Sequence, residues 1–219
     1  PLLALLKPKQ NADMVRSMLA HQQQSVHRLL PVWSLMGNEG WCMTGYHAVS
    51  VLADALAKGA DIDRRAALEA MTATANSKRM PGIEAYRQLG YVPYDSDATA
   101  ASNTLEYAYD DWAIYAAAKA AGETAAAEEF AKRALSYRNV YNPQSGFACP
   151  RYADGQFKEG MDPYQTYNEG FIEGNSWNFS FHVPHDVFGM MRMMGGEKVF
   201  RQRLDELFSM DLPEKYYKD

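Results

Sequence analysis

Glu173 lies in the run Glu173-Gly174-Asn175-Ser176-Trp177-Asn178-Phe179, and Pro184-His185-Asp186 follows after a short apolar stretch. One carboxylate therefore sits beside a Gly-Asn turn and a tryptophan, just ahead of a strong helix start. A carboxyl group packed against an indole is expected to have a raised pKa, because desolvation disfavours the anion. That property suits a proton donor to a sugar leaving group. An aromatic wall also suits the apolar face of a pyranose ring.

Two similar clusters lie upstream. Gly37-Asn38-Glu39-Gly40-Trp41-Cys42-Met43 precedes one expected helix, and Glu106-Tyr107-Ala108-Tyr109-Asp110-Asp111-Trp112 lies early in another. Trp41, Trp112 and Trp177 are 71 and 65 residues apart. Each cluster pairs an acid with a tryptophan beside an apolar helix, at a spacing that fits one helical hairpin per unit. The expected repeat is one of architecture, not of sequence identity.

These groups need a scaffold, and helices supply it. Asn11 to Gln24 reads as a helix capped by Asn11 or Asp13, with Met14, Val15, Met18 and Leu19 on one face. Pro31 to Gly40 reads as a loop. Cys42 to Lys58 is an expected helix ended by Gly59, and Asp61-Ile62-Asp63 starts another over 64–77. Helices over 102–121 and 123–137, separated by Gly122, predict an antiparallel hairpin. Residues 142–162 carry turn signals with room for short strands. Two last helices, over 184–194 and 198–209, are split by Gly195-Gly196. No alternating pattern is long enough for a real sheet. The expected fold is all-α, with consecutive helical hairpins forming part of an (α/α)6 toroid and little or no sheet. Three to four hairpins are countable. That predicts a partial catalytic domain over 1–219, incomplete at both ends, whose partners include the remainder of that domain.

Composition sets outer limits. At 219 residues and 47% hydrophobic content, the chain can bury a substantial core. A net charge of −5, with no basic cluster, argues against a nucleic-acid partner. No apolar run approaches the ~20 residues that span a bilayer. The chain carries no secretory signal. Cys42 and Cys149 admit one pairing, but two buried free thiols is the simpler reading. His47, His182 and His185 have no metal-ligand spacing, so no metal site is assigned to this chain.

Six motifs then fall in one order. They are Gly37-Asn38-Glu39-Gly40-Trp41-Cys42-Met43 with Gly45-Tyr46-His47, Tyr109-Asp110-Asp111-Trp112, Asn142-Pro143 with Gly146-Phe147, Arg151 with Asp154-Gly155, Glu173-Gly174-Asn175 with Trp177, and Pro184-His185-Asp186. Each alone is weak; together they resemble the family-92 glycoside hydrolases, exo-acting α-mannosidases, nearly end to end. The resemblance implies an (α/α)6 toroid joined to an N-terminal β-sandwich domain, and a periplasmic or secreted location. It implies calcium-dependent hydrolysis of terminal α-linked mannose from glycans, with inversion of the anomeric centre. Glu173 then stands at the general acid position. Asn38, Glu39, Trp41 and Trp177 stand at the pocket for the terminal mannose. The sequence departs at Gly40, where threonine is usual, and at Asn178-Phe179, where Gln-Tyr is usual. The family's motifs with the catalytic-base aspartates and the calcium-coordinating Asn and Glu are not found here, so calcium ligands are expected outside this chain.

Other readings stand beside these. Glu39 either hydrogen-bonds a sugar hydroxyl or orders its loop by accepting backbone N–H groups. Asp110 and Asp111 point about 100° apart on a helix. One is expected to order a neighbouring loop and the other to face solvent. His185-Asp186 follows Pro184 at an expected helix N-terminus, where Asp favours the helix dipole, and reads as structural rather than catalytic. A different α/α-toroid glycosidase, or a non-catalytic glycan-binding or structural remnant, are the alternative functions.

Overall fold

A computed structural model describes residues 2–166 and 169–216. The chain divides into two compact units. The first runs to Ile83 and resumes over Glu106–Leu135; the second comprises Glu84–Leu105 and the residues from Ser136 onward.

The first unit opens with helices α1 (Leu2–Leu6) and α2 (Pro8–Gln24). Pro8 occupies the first turn of α2, where its missing N–H costs nothing. The helix therefore starts three residues before the expected Asn11, and no side chain caps it. Asn11, Ala12, Val15 and Leu19 are its buried face, while Met14 is exposed. The expected loop over 31–40 contains a small antiparallel hairpin, β1 (Ser34–Leu35) and β2 (Asn38–Glu39), with Ser34 opposite Glu39. Met36 and Gly37 at its tip have φ of 52° and 79°. Positive φ at both central residues gives the turn twist that two-residue hairpins require.

Helix α3 spans Ala48–Ala57, so the expected start at Cys42 is six residues too early. Residues 41–47 instead form an irregular segment. Helix α4 (Arg64–Ala75) starts as expected, with Asp63 accepting the N–H groups of Arg65 and Ala66 at 3.0 Å. Helices α2, α3 and α4 pack on one another around Val15, Val49, Leu52, Ala67 and Met71.

Helix α5 (Ile83–Leu89) lies almost wholly in the second unit. Helix α6 (Ala100–Ala121) belongs to both units, its later part to the first. Gly122, at φ 78°, ends α6, and α7 (Thr124–Arg133) runs back along it. The return is fixed by Arg133, near the end of α7, meeting Asp111 in the middle of α6. This is the expected hairpin.

In the second unit a 3-10 turn over Ser136–Val140 leads into the turn-rich stretch. Its only ladder elements among the described residues are single bridges, Tyr141 with Ala148 and Arg151 with Phe157. Helices α8 (Ser176–Phe179), α9 (Val187–Met193) and α10 (Glu197–Ser209) follow. Gly195 and Gly196 separate the last two at φ 110° and 103°. Asp186 caps α9 through the Gly189 N–H at 2.9 Å, so the helix starts three residues after the expected Pro184 while Asp186 keeps a structural role at its N-terminus. The fold is mostly helical, with one two-stranded sheet among the described residues.

Candidate active site

In the second unit, Glu173 sits on the turn just before α8. It adopts φ +48°, a left-handed conformation that costs a non-glycine residue about 1–3 kcal/mol. The turn is locked on its far side. The Asn175 side chain accepts the Asn178 N–H at 3.1 Å, and the Asn178 side chain accepts the Asn175 N–H at 3.3 Å. This reciprocal box uses the asparagine that departs from the usual Gln. The Glu173 side chain is exposed, so the burial expected from its tryptophan neighbour is not found.

Trp177 explains why. It is 5% exposed, and its ring packs on Phe147 at 4.9 Å and Tyr164 at 5.9 Å between centroids. Trp177 is thus a core residue of the second unit, rather than an open sugar platform. Its indole N–H is buried with no hydrogen-bond partner among the described residues. The reason is local: α8 is a single turn, and its inward face takes Ser176 and Trp177 together.

Asn38, Glu39 and Trp41 lie together in the first unit, on β2 and the segment after it. Glu39 is buried. One carboxylate oxygen accepts the Trp41 N–H at 2.9 Å, and the other accepts the Val32 N–H. Of its two sequence readings, the loop-ordering one is what the geometry displays. Asn38 accepts the Val26 N–H at 3.0 Å and ties the hairpin to the end of α2. Trp41 is the residue left facing outward. It is 37% exposed, at φ +47°, with its ring 4.9 Å from that of His27. Four non-glycine residues have positive φ among the described ones: Arg28, Met36, Trp41 and Glu173. Two of the four are site residues chosen from the sequence. Strain of this kind persists only where surrounding contacts impose it, and it concentrates at functional positions.

The three acid–tryptophan clusters are not equivalent units. Trp41 lies exposed in a loop before α3, Trp112 is exposed in the middle of α6, and Trp177 lies in the core. The expected repeat is therefore absent at the level of these residues.

The segment after Trp41 is anchored by groups the sequence left undervalued. His47 bridges two carboxylates of α6: Nδ1 is 2.8 Å from Asp110 and Nε2 is 2.9 Å from Glu106. Residues 106 and 110 are one helical turn apart and share a face, which makes the bridge possible. Burial by itself lowers the His47 pKa, but the hydrogen bonds and charges of Asp110 and Glu106 more than offset it and push it up to about 10. Burial pushes the Asp110 carboxyl up, against the pull of His47 and of the Tyr46 N–H at 2.6 Å. Two groups thus converge on Asp110, the Tyr46 N–H and the His47 ring.

Asp111 corrects the sequence reading. It does not face solvent: it is fully buried, bonded to the Tyr46 hydroxyl at 2.6 Å and to Arg133 at 2.9 Å. Arg133 also donates to Asn76, Glu129, the Ala75 carbonyl and the Tyr46 hydroxyl. The adjacent aspartates thus hold the two ends of one residue, Asp110 its backbone N–H and Asp111 its side chain. The i, i+4 pair Glu106 and Asp110 was a usable signal for this. Arg133 had none, because it arrives from another helix.

Both cysteines are free, with Cys42 exposed and Cys149 buried, which corrects half of the expected pair of buried thiols. Burial pushes the Cys149 thiol up to about 11. Among the described residues no three His, Cys, Asp or Glu side chains converge to hold a metal ion. The carboxylates of Glu106, Asp110 and Asp111 are committed to His47, Tyr46 and Arg133. This cluster of described residues does not fit a calcium site.

A model of the glycosyl hydrolase family 92 catalytic domain matches residues 1–218. The chain belongs to glycoside hydrolase family 92. A family GH92 α-mannosidase from Bacteroides thetaiotaomicron is 42% identical, with a TM-score of 0.92 over 98% of this chain and 29% of its own length. A family GH92 inverting mannosidase of the same organism is 35% identical, with a TM-score of 0.88 over 94% of this chain and 29% of its own. An uncharacterized secreted glycosidase of Arthroderma benhamiae is 26% identical across 80% of this chain and 27% of that protein. The chain thus spans less than a third of the length of these family 92 relatives. No helix among the described residues is long and apolar enough to cross a membrane.

Proposed function

We propose that this chain is part of the (α/α)6 catalytic domain, over 1–219, of an enzyme that releases terminal α-linked mannose from glycans with inversion. The observation that carries the reading is Glu173. It is an exposed carboxyl on a strained turn, φ +48°, fixed from behind by the Asn175–Asn178 box. Glu173 acts as general acid and donates its proton to the glycosidic oxygen as the bond to the anomeric carbon breaks. A carboxylate outside this chain removes a proton from water, which attacks the opposite face of the ring. Inverting enzymes keep the two carboxyl groups roughly 6.5–9.5 Å apart to admit that water. Trp41 offers its exposed indole to the apolar face of the terminal mannose, and Asn38 and Glu39 hold the hairpin beneath it. Trp177 contributes by packing the turn rather than by touching sugar.

Calcium dependence is part of the proposal, with its ligands elsewhere in the full-length protein; no step assigned to this chain uses the ion. The remaining partners are the rest of the catalytic domain and an N-terminal β-sandwich domain. The site of action is the periplasm or the cell exterior, in keeping with the secreted glycosidase it resembles.

The test is hydrolysis of an α-linked mannobiose by the full-length protein, with and without a chelator, with the released anomer read by NMR. Release of β-mannose that a chelator suppresses supports the proposal. Sugar binding without hydrolysis would instead favour the glycan-binding alternative.

A further inference from the structure

The segment between Glu39 and α3 is fixed at both ends. At the first end, Glu39 accepts the Trp41 N–H at 2.9 Å, which holds Trp41 in its left-handed conformation. At the second end, the Tyr46 N–H donates to Asp110 at 2.6 Å, and the His47 ring spans Asp110 and Glu106. Between them Gly45 has φ +81° and no room for a side chain. A Cβ there would lie 2.6 Å from His47 Nε2 and 3.1 Å from Asp110 Oδ2. The segment thus leaves through the bridge at His47, and Trp41 stands exposed at its start.

We infer that His47 is a positioning residue for substrate binding, which sets the indole of Trp41 through its bridge to Glu106 and Asp110. The inference rests on the proposed pocket role of Trp41. The ionisable side chains that face His47 are Glu106, Asp110 and Tyr109, all on α6, with the Tyr109 ring 6.1 Å away. Both His47 ring nitrogens are engaged with carboxylates. Its effect is on where Trp41 stands.

The test is a double-mutant cycle in the full-length enzyme, with kcat and KM measured on an α-linked mannobiose. The variants are Trp41→Ala, His47→Leu and the two combined. Trp41→Ala is expected to raise KM about tenfold, the equivalent of 1.4 kcal/mol. His47→Leu is expected to raise KM similarly with a smaller change in kcat, and the double variant no more than Trp41→Ala alone. Multiplied KM effects, at equal folding, would overturn the positioning role and leave the pocket reading intact. No change of KM in Trp41→Ala would overturn both. Should His47→Leu fail to fold, Glu106→Gln replaces it in the same cycle, since it keeps the His47–Asp110 bond. Non-additivity with Trp41→Ala is again the supporting result, and multiplication the opposing one.

Discussion

The buried pair Asp111 and Arg133 gives the sharpest energetic prediction. Asp111 has no exposed side-chain surface and Arg133 only 9%. Breaking such a pair leaves a buried charge without its partner and costs about 3–5 kcal/mol. Asp111→Leu leaves the Arg133 guanidinium with neutral acceptors at Asn76 and Ala75, and with the half-exposed Glu129 at 3.3 Å. Those contacts hold the loss near the low end. The Tyr46 hydroxyl also loses its 2.6 Å acceptor, which adds to the cost. The expected destabilisation is about 3 kcal/mol, or roughly 6–12 °C in midpoint for a unit of 150–250 residues. Calorimetry of the protein carrying this chain reads it directly. Adding Arg133→Met removes the stranded charge, so the double variant should recover at least half of the loss. A single variant within about 1 kcal/mol of the parent, or a double variant no better than the single, would refute the reasoning.

Other outcomes follow from the same geometry. The His47 pKa is raised to about 10 from 6.5, so its stabilising contribution is complete below pH 6.5 and lost as pH rises through about 10. Melting curves from pH 6 to 10.5 should show that alkaline loss, and His47→Gln should flatten it. Gly45→Ala forces a side chain at φ +81° against His47 and should destabilise by roughly 1–3 kcal/mol by melting. Gly189→Ala places a methyl inside the contact with the Tyr137 hydroxyl and the Asp186 carboxylate, and should abolish soluble expression. Iodoacetamide at pH 8 should label Cys42 and spare Cys149, whose thiol is buried and pushed up to about 11; mass spectrometry locates the label.

Much of the fold was legible because local chemistry decided it. Asp63 and Asp186 start helices by accepting backbone N–H groups two or three residues on, and a sequence displays that pattern openly. Gly122 and Gly195-Gly196 end helices because they alone take positive φ cheaply. What failed was decided at a distance. The segment 42–47 has helical composition, yet Asp110 and Glu106 hold it open from 63 and 59 residues further along the chain. One of Asp110 and Asp111 was expected to face solvent, but both are buried, and the partner of Asp111, Arg133, comes from the next helix. Trp177 looked like a platform because it neighbours Gly and Asn. Phe147 and Tyr164, from the loop-rich stretch, bury it instead. Glu173 and Trp41 were chosen for their motifs; their shared left-handed backbone was beyond the reach of sequence, since non-glycine residues rarely adopt it.

In the proposed mechanism Glu173 donates the proton to the departing sugar oxygen. Glu173→Gln in the full-length enzyme tests it most directly, with kcat measured on an α-linked mannobiose and on an aryl mannoside with an acidic leaving group. The expected result is a fall in kcat of about 10²–10⁴ on the disaccharide, a much smaller fall on the aryl substrate, and an unchanged melting temperature. Parental turnover of the disaccharide, or equal losses on both substrates, would contradict it.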